Sequence, residues 1–311
     1  MKKVFIYLMI LVFPLSIYSQ DIELTISLNK NEYLLGESIW MRVNLTNNRK
    51  DSVYVNLSEI INAAYLENSS GNRIPSNVTI SFWRPNRPDT GPGVTRKAMA
   101  DIVPYFARHD TSLKMRLFDV DNYSIYVFYD NKAVVSNTVN FSVVEPEGIE
   151  KEVFKQYKEG YNLWFKKKEN IKAASHFEEL AEKYSNSVYA PEALNVSANA
   201  YNIGKEIDLQ KSISAYKKIL FNYPNSYQCK NAASGIENLM RSINDREGYI
   251  NLMEEVINTL PGTKASGYCI RRLEYARTAP DDKWSYELET KKIREESKRL
   301  QELQKKKRKR R

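Results

Sequence analysis

Histidine is the side chain most often used for proton transfer in catalysis, and this sequence of 311 residues contains only two, His109 and His176. Neither lies beside a nucleophile motif. His176 directly precedes Phe177 in a helical pattern, which is typical of a packed or solvated helix residue and not of a general base. We therefore expect a protein that is not an enzyme and that needs no cofactor.

Metal ligands are the next chemistry to consider. Residues 119–130 (DVDNYSIYVFYD) have acidic spacing similar to a calcium loop, but the sixth position is Ser124, where the sharp turn needs glycine. The alternating residues that follow it indicate a strand. Cys229 and Cys269 are forty residues apart and lack the paired spacing of a zinc site. We expect no metal site, and a disulfide only if the helices that carry the two cysteines are neighbours.

A row of asparagines is the strongest candidate for binding chemistry. Asn195, Asn199 and Asn202 lie at i, i+4 and i+7, the spacing that aligns side chains on one face of a helix. Because an amide both donates and accepts hydrogen bonds, such a row suits the N–H and C=O groups of an extended peptide. The alternative is an ordinary solvated helix face, since asparagine is frequent elsewhere in the chain.

The helix that carries this row belongs to a repeated pattern. The sequence AASHFEELAEKYSNSVYAPEA aligns with KSISAYKKILFNYPNSYQCKNA at a period of 39, which matches Phe177 with Tyr216 and Tyr184 with Tyr223. A third copy, YINLMEEVINTLPGTKASGYCI, follows at a period of 37 and matches Leu260 with Tyr223. Each copy predicts a helix, a break and another helix, which together form a stacking helical hairpin.

These copies resemble the tetratricopeptide family, especially the longer repeats of cell-envelope proteins in which a helix ends in Tyr-Pro-Asn-Ser. The match is closest at Phe177, Tyr216, Pro224 and Pro261. Ser185 stands where the family has proline, and both periods exceed the usual length of about 34 residues. The resemblance implies that helices stack into an all-α superhelix.

The same resemblance implies a binding site, because in this family the first helix of each hairpin lines a concave groove that holds a peptide. We expect the superhelix over residues 149–280 to act as a protein-interaction scaffold for a protein or peptide partner. By repeat register, the groove residues would be Lys155, Glu159, Asn162, Asn195, Asn199, Asn202, Ser234, Asn238, Arg241 and Arg271.

Residues 21–145 have the period of two that is typical of strands, and turn sequences such as NSSGN separate the candidates. This pattern predicts an antiparallel β-sandwich. LNKNEYLLGESIWMRVNLTNN and DNYSIYVFYDNKAVVSNTVNFSVVEP resemble immunoglobulin-like and macroglobulin-type modules and the proteinase-inhibitor fold. The alternative function is therefore binding of a glycan or inhibition of a proteinase through the sandwich. Residues 82–97, rich in proline and arginine, predict either a binding loop or an irregular crossover.

The two ends of the chain indicate export and a charged terminus. Lys2 and Lys3 precede an apolar run, which predicts a signal peptide over residues 1–19, with an uncleaved anchor as the alternative. Residues 291–311 contain twelve Lys and Arg against three Glu, a net charge equal to the +9 of the whole chain. We expect residues 281–311 to form a charged helix and a basic tail that attracts anionic surfaces without specific binding of nucleic acid. A periplasmic or outer-membrane-associated protein, not an integral membrane protein, is expected.

Overall fold

A computed structural model describes residues 21–56, 60–61, 64–76, 90–109, 115–129, 132–204 and 206–285. The expected signal peptide, residues 286–311 of the charged terminus and residues 82–89 of the proline-rich loop lie outside this part of the chain. A β-rich N-terminal region is followed by a series of packed helices, so the predicted combination of β and α regions is confirmed.

The chain divides into two compact units. Among the described residues, the β-rich unit comprises 21–31, 41–106 and 122–141, and the helical unit comprises 32–40, 107–121 and 142–285. The helical unit therefore contains two segments from the N-terminal half of the sequence. A domain boundary at residues 145–149 stays a prediction.

The β-rich unit contains two larger sets of strands. Strand β1 (Ile22–Leu28) pairs antiparallel with β3 (Trp40–Asn47), and Leu24 lies opposite Leu45. Side chains alternate between buried and outward positions along β1, as the period of two predicts. Packing of the sheets as a sandwich stays a prediction. The remaining strands of the described part of the chain are β2 (Glu32–Leu34), β4 (Tyr65–Asn68), β5 (Arg73–Ile74), β6 (Thr95–Asp101), β7 (Arg108–His109), β8 (Arg116–Leu117), β9 (Asp121–Tyr126), β10 (Phe128–Tyr129), β11 (Val134–Val135) and β12 (Val139–Val144). Of these, β2, β7 and β8 belong to the helical unit.

Two elements of this region differ from the expectation of strands without helix. Strand β6 lies beside β3, yet none of its residues is fully buried, so its sequence TRKAMAD carries no alternating apolar signal. A short helical turn, Val103–Phe106, follows it and buries Phe106. Both were missed because their positions depend on pairing and burial contributed by distant residues.

The helical unit is a run of helices of similar length. Helix α1 continues into a π-helical turn at Asn162–Lys166. Successive helices pack against one another, and α2 and α3 form one of the closest pairs. The helices are α1 (Gly148–Tyr161), α2 (Asn170–Lys183), α3 (Ala190–Tyr201), α4 (Leu209–Asn222), α5 (Cys229–Ser242), α6 (Arg246–Thr259), α7 (Lys264–Thr278) and the short α8 (Asp281–Trp284).

The even-numbered helices α2, α4 and α6 end in the same way. Tyr184, Tyr223 and Leu260 are their C-caps, with φ of −120°, −129° and −127°, and each N–H donates to the carbonyl four residues earlier. Phe177 and Tyr216, which the period of 39 aligns, are both buried. The similar ends of these helices and the burial of the two aligned residues are compatible with the predicted repeats.

The N-terminal segments of the helical unit contribute to its core. Strand β2 pairs in parallel with residues 142–144 of β12, just before α1 begins. Leu34, Leu35 and Leu117 pack against the apolar core of the helices, and Met115 is buried within it. The helical hairpins are thus not the whole of this unit, because part of their apolar surface is covered by strand and loop residues.

Candidate functional site

Residues 35–40 (LGESIW), which we call the strap, follow β2 and contact residues on or next to α1, α3 and α5. These three odd-numbered helices include most of the positions that the sequence assigns to a binding groove. The strap therefore indicates what kind of chain the odd-numbered helices can hold.

The first contacts involve the backbone of the strap. The Tyr189 hydroxyl donates to the carbonyl oxygen of Leu35 at 2.8 Å. Gly36 has φ of +85°, and a Cβ atom there would lie 2.6 Å from Cε2 of Phe154. The rings of Phe154 and Tyr189 stack with centroids 5.5 Å apart. Only glycine fits here, because the position requires both a left-handed backbone and close approach to a ring.

The second contact is a polar cluster around a carboxylate. The Ser38 hydroxyl donates to Oε2 of Glu192 at 3.0 Å, and Nε2 of Gln228 donates to both Ser38 Oγ and Glu192 Oε2. The Asn231 amide in turn donates to Oε1 of Gln228 at 2.8 Å. The amide of Asn195 lies 3.4 Å from the other oxygen of Glu192. This network ties the strap to α3 and α5.

The third contact is aromatic. Trp40 stacks on Tyr227 with ring centroids 5.8 Å apart and an interplanar angle of 24°, and it is 6% exposed. Nζ of Lys230 lies 5.9 Å from the Trp40 ring centroid, and Nζ of Lys264 lies 3.6 Å from the Tyr227 ring centroid. The tryptophan is thus held between an aromatic ring and an ammonium group, an arrangement that favours an electron-rich ring.

Burial raises the pKa values of two side chains in or next to the polar cluster. It raises the pKa of the Glu192 carboxyl above its usual value, while hydrogen bonds from Ser38 and Asn195 oppose that shift. Burial also raises the pKa of Tyr216 to about 12, with a further contribution from the Glu192 carboxylate. The folded protein therefore binds a proton at Glu192 more readily than the unfolded chain does.

This shift predicts a pH dependence of stability. A carboxyl with a raised pKa in the folded state stabilises the fold most when it is protonated, and that contribution is lost as the pH rises through the raised pKa. We expect Glu192→Gln to gain stability relative to the wild type between about pH 5 and pH 8. Urea melts of both proteins across this range test it. Parallel stability curves would show that Glu192 does not titrate in this way.

The structure places the asparagine row mostly inside the helical unit. Asn195 is buried, and Asn199 donates to the Asn195 carbonyl at 2.8 Å and accepts from the Tyr216 hydroxyl at 3.1 Å. Asn202 is exposed and caps the C-terminus of α3. The row is therefore not uniformly exposed, because Tyr216 on α4 donates to the amide oxygen of Asn199 and the Glu192 carboxylate lies near the amide of Asn195. Its role in binding a peptide stays a prediction.

The other predicted groove residues differ in exposure, and the structure shows hydrogen bonds for two of them. Ser234 accepts a hydrogen bond from Arg272 of α7, and the Arg241 guanidinium donates to the carbonyl oxygens of Trp284 and Lys283. Arg241 thus holds the end of the helical unit. Asn162 is half-buried in the π-helical turn. The exposed positions are Lys155, Glu159, Asn238 and Arg271.

Sequence reasoning missed the strap as part of the site. It treated these residues only as part of LNKNEYLLGESIWMRVNLTNN, the segment that resembles immunoglobulin-like modules. The glycine was the available signal, because a glycine in a strand region often marks close approach of another group to the backbone. Nothing local indicated that the approaching group would be Phe154, more than a hundred residues away.

The residues considered for catalysis and metal binding have other surroundings. His176 is half-buried, with its Nε2 2.8 Å from the carbonyl oxygen of Gln156. Cys229 and Cys269 are free and buried, and burial raises the pKa of each thiol to about 12. The calcium-like segment contains strand β9, as predicted. The described residues include no group of three or more His, Cys, Asp or Glu side chains that could hold a metal ion.

No helix in the described part of the chain is both long and apolar enough to cross a membrane. Comparison with known proteins finds no family model that matches the chain and no curated protein that matches it significantly.

Proposed function

We propose that this protein is an exported, non-enzymatic interaction scaffold of the cell envelope whose odd-numbered helices bind a protein or peptide partner. The observation that carries the proposal is the strap. Within one molecule, residues on or next to α1, α3 and α5 already hold a segment of chain through a backbone carbonyl, a hydroxyl and an aromatic ring. The carbonyl is a group that every polypeptide offers, and the hydroxyl and the ring are side-chain groups that a partner could also supply.

The finer fold assignment is part of this proposal. The equivalent ends of α2, α4 and α6 and the period of 39 support tetratricopeptide-like repeats and a superhelix. The alternating strands support an immunoglobulin-like sandwich in the β-rich unit. The apolar N-terminal run supports export to the periplasm or the outer membrane.

The partner's contacts should lie where the odd-numbered helices are exposed. Asn202, Asn238, Glu159 and Arg271 are exposed, and their side chains together offer donors and acceptors. We exclude Asn199 as a principal contact because its amide is already bonded to Tyr216 and to its own helix. The basic residues 291–311 would accelerate encounter with an acidic partner without determining the complex.

Site-specific photo-crosslinking tests this proposal. A photoreactive amino acid at Asn238, on odd-numbered α5, should give a discrete adduct with one cellular protein. The matched control is the same amino acid at Glu179, which is equally exposed but lies on even-numbered α2. Adducts at Glu179 with none at Asn238 would move the binding surface to the other helices.

A further inference from the structure

We propose that the strap is an internal ligand: residues 35–40 fill a recognition site on the odd-numbered helices. The site accepts a segment that turns at a glycine, as the strap does where the Glu37 N–H donates to the Leu34 carbonyl oxygen at 2.9 Å, and that has a hydroxyl residue two positions later and an aromatic residue two positions after that. While the strap is in place, this site is closed to other chains. The inference deepens the proposed function and rests on it for its consequence, since an external partner must bind elsewhere on these helices or displace the strap.

The glycine position is read by shape. A Cβ atom at residue 36 would lie 2.6 Å from Phe154, and the φ of +85° is one that other residues rarely adopt. Next to it, the Tyr189 hydroxyl binds a carbonyl oxygen, which every residue type provides. The site thus excludes a side chain at residue 36 and holds the backbone carbonyl of residue 35.

The hydroxyl and aromatic positions are recognised through hydrogen bonds and ring contacts. Ser38 both donates to Glu192 and accepts from Gln228, which only a hydroxyl side chain of this length can do at once. The ring of Trp40 stacks on Tyr227 beneath the ammonium group of Lys230. An aliphatic residue would fill the space but would lose both the ring stacking and the cation–π contact.

The walls of the site have partners of their own apart from the strap. Tyr189 packs against both Phe154 and Tyr157, with centroids 5.5 Å and 5.6 Å apart. Gln228 is held by Asn231, and Tyr227 is covered by Lys264. The side chains that line the site should therefore keep their positions when the strap leaves.

Tethering explains why the strap excludes other chains. A segment connected to its own site by a short stretch of chain has an effective concentration in the millimolar range. A free peptide at micromolar concentration cannot compete with it, even if both make the same contacts. A substitution that weakens the strap's contacts and leaves the residues of the site unchanged should therefore open the site to a free peptide.

Fluorescence anisotropy with a labelled peptide of residues 32–40 (EYLLGESIW) tests this in the full chain. Gly36→Val blocks the strap without changing any wall residue. Gly71→Val is the matched control, because Gly71 also has positive φ but a Cβ atom there meets nothing within 4 Å. We expect the peptide to bind Gly36→Val at least about tenfold more tightly than the wild type or Gly71→Val. A peptide with valine in place of glycine should not bind.

A second variant keeps the test decisive if Gly36→Val does not fold, as judged by helical circular dichroism. Ser38→Ala with Trp40→Ala leaves the strap backbone unchanged and removes two of its contacts, so it should also admit the peptide. Absence of binding to every folded variant would show that the strap is simply core. Equal binding to the wild type would place the peptide elsewhere. Neither result involves an external partner, so the proposed function is tested separately.

Discussion

Replacing Gly36 by valine is expected to lower the free energy of unfolding by about 3 to 5 kcal/mol, one of the two largest effects we predict. Two causes add. The φ of +85° strains a β-branched residue, and its Cβ would lie 2.6 Å from the Phe154 ring. Urea denaturation followed by circular dichroism measures the loss.

Gly71→Val separates the two causes. Gly71 has φ of +75° but open space around a Cβ atom, so only backbone strain of about 1 to 2 kcal/mol should appear. The remainder of the Gly36 effect reports the fit of the strap against α1. Equal losses in the two variants would mean that Phe154 does not restrict the strap.

Replacing Phe177 by alanine should lower the free energy of unfolding by about 3 to 5 kcal/mol. Phe177 is fully buried, lies edge-on to Tyr157 and Tyr161 with centroids 5.5 Å and 5.6 Å away, and fills the space beside Gly160, where a Cβ atom would lie 2.5 Å from its ring. Tyr216, its counterpart in the next hairpin, should behave alike, since it is also buried and its ring lies beside Gly235 of the following helix α5.

The control for Phe177→Ala and Tyr216→Ala is a substitution at an exposed aromatic residue of the same helical unit. Tyr275 on α7 is 40% exposed, so Tyr275→Ala should change the free energy of unfolding by less than about 1 kcal/mol. Thermal or urea melts give all three values. A loss below about 1 kcal/mol for Phe177→Ala would contradict the repeat register on which the hairpins are aligned.

The helical region was the most predictable part, because its signals are local. Apolar residues at helical spacing recur at Phe177 and Tyr216, and the breaks after Tyr184 and Tyr223 set where the helices end. The strands β1 and β3 were predictable for the same reason, because apolar and polar residues alternate along consecutive positions of each strand. Strand β6 was not, because no buried residue marks it.

The candidate site was predictable only in outline. The register correctly places Asn238 and Arg271 at exposed positions of odd-numbered helices. It could not show that Tyr216 reaches Asn199 or that Arg241 donates to the carbonyl groups of Lys283 and Trp284. Nor could it show that residues 35–40, which follow β1, contact Tyr189 and Glu192. These are contacts between residues far apart in sequence, and no periodic pattern encodes them.

The strap also changes how the asparagine row is understood. An amide row open to solvent would suit a peptide along the whole face, but Glu192 and Asn195 already face a segment of the same chain or its polar cluster. The exposed ends of the odd-numbered helices are left for an external partner. Binding there would leave the strap in place, because the strap contacts Glu192 and Tyr227, at the N-terminal ends of α3 and α5.

The measurement that tests the central claim most directly is the dissociation rate of a crosslinked and identified partner, followed by surface plasmon resonance. Asn202→Ala with Asn238→Ala changes two exposed positions on α3 and α5, so folding should survive while dissociation accelerates about tenfold. Deleting residues 291–311 should slow association and leave dissociation unchanged. An unchanged dissociation rate in the double variant, together with a lost complex in the deletion, would contradict binding by the odd-numbered helices.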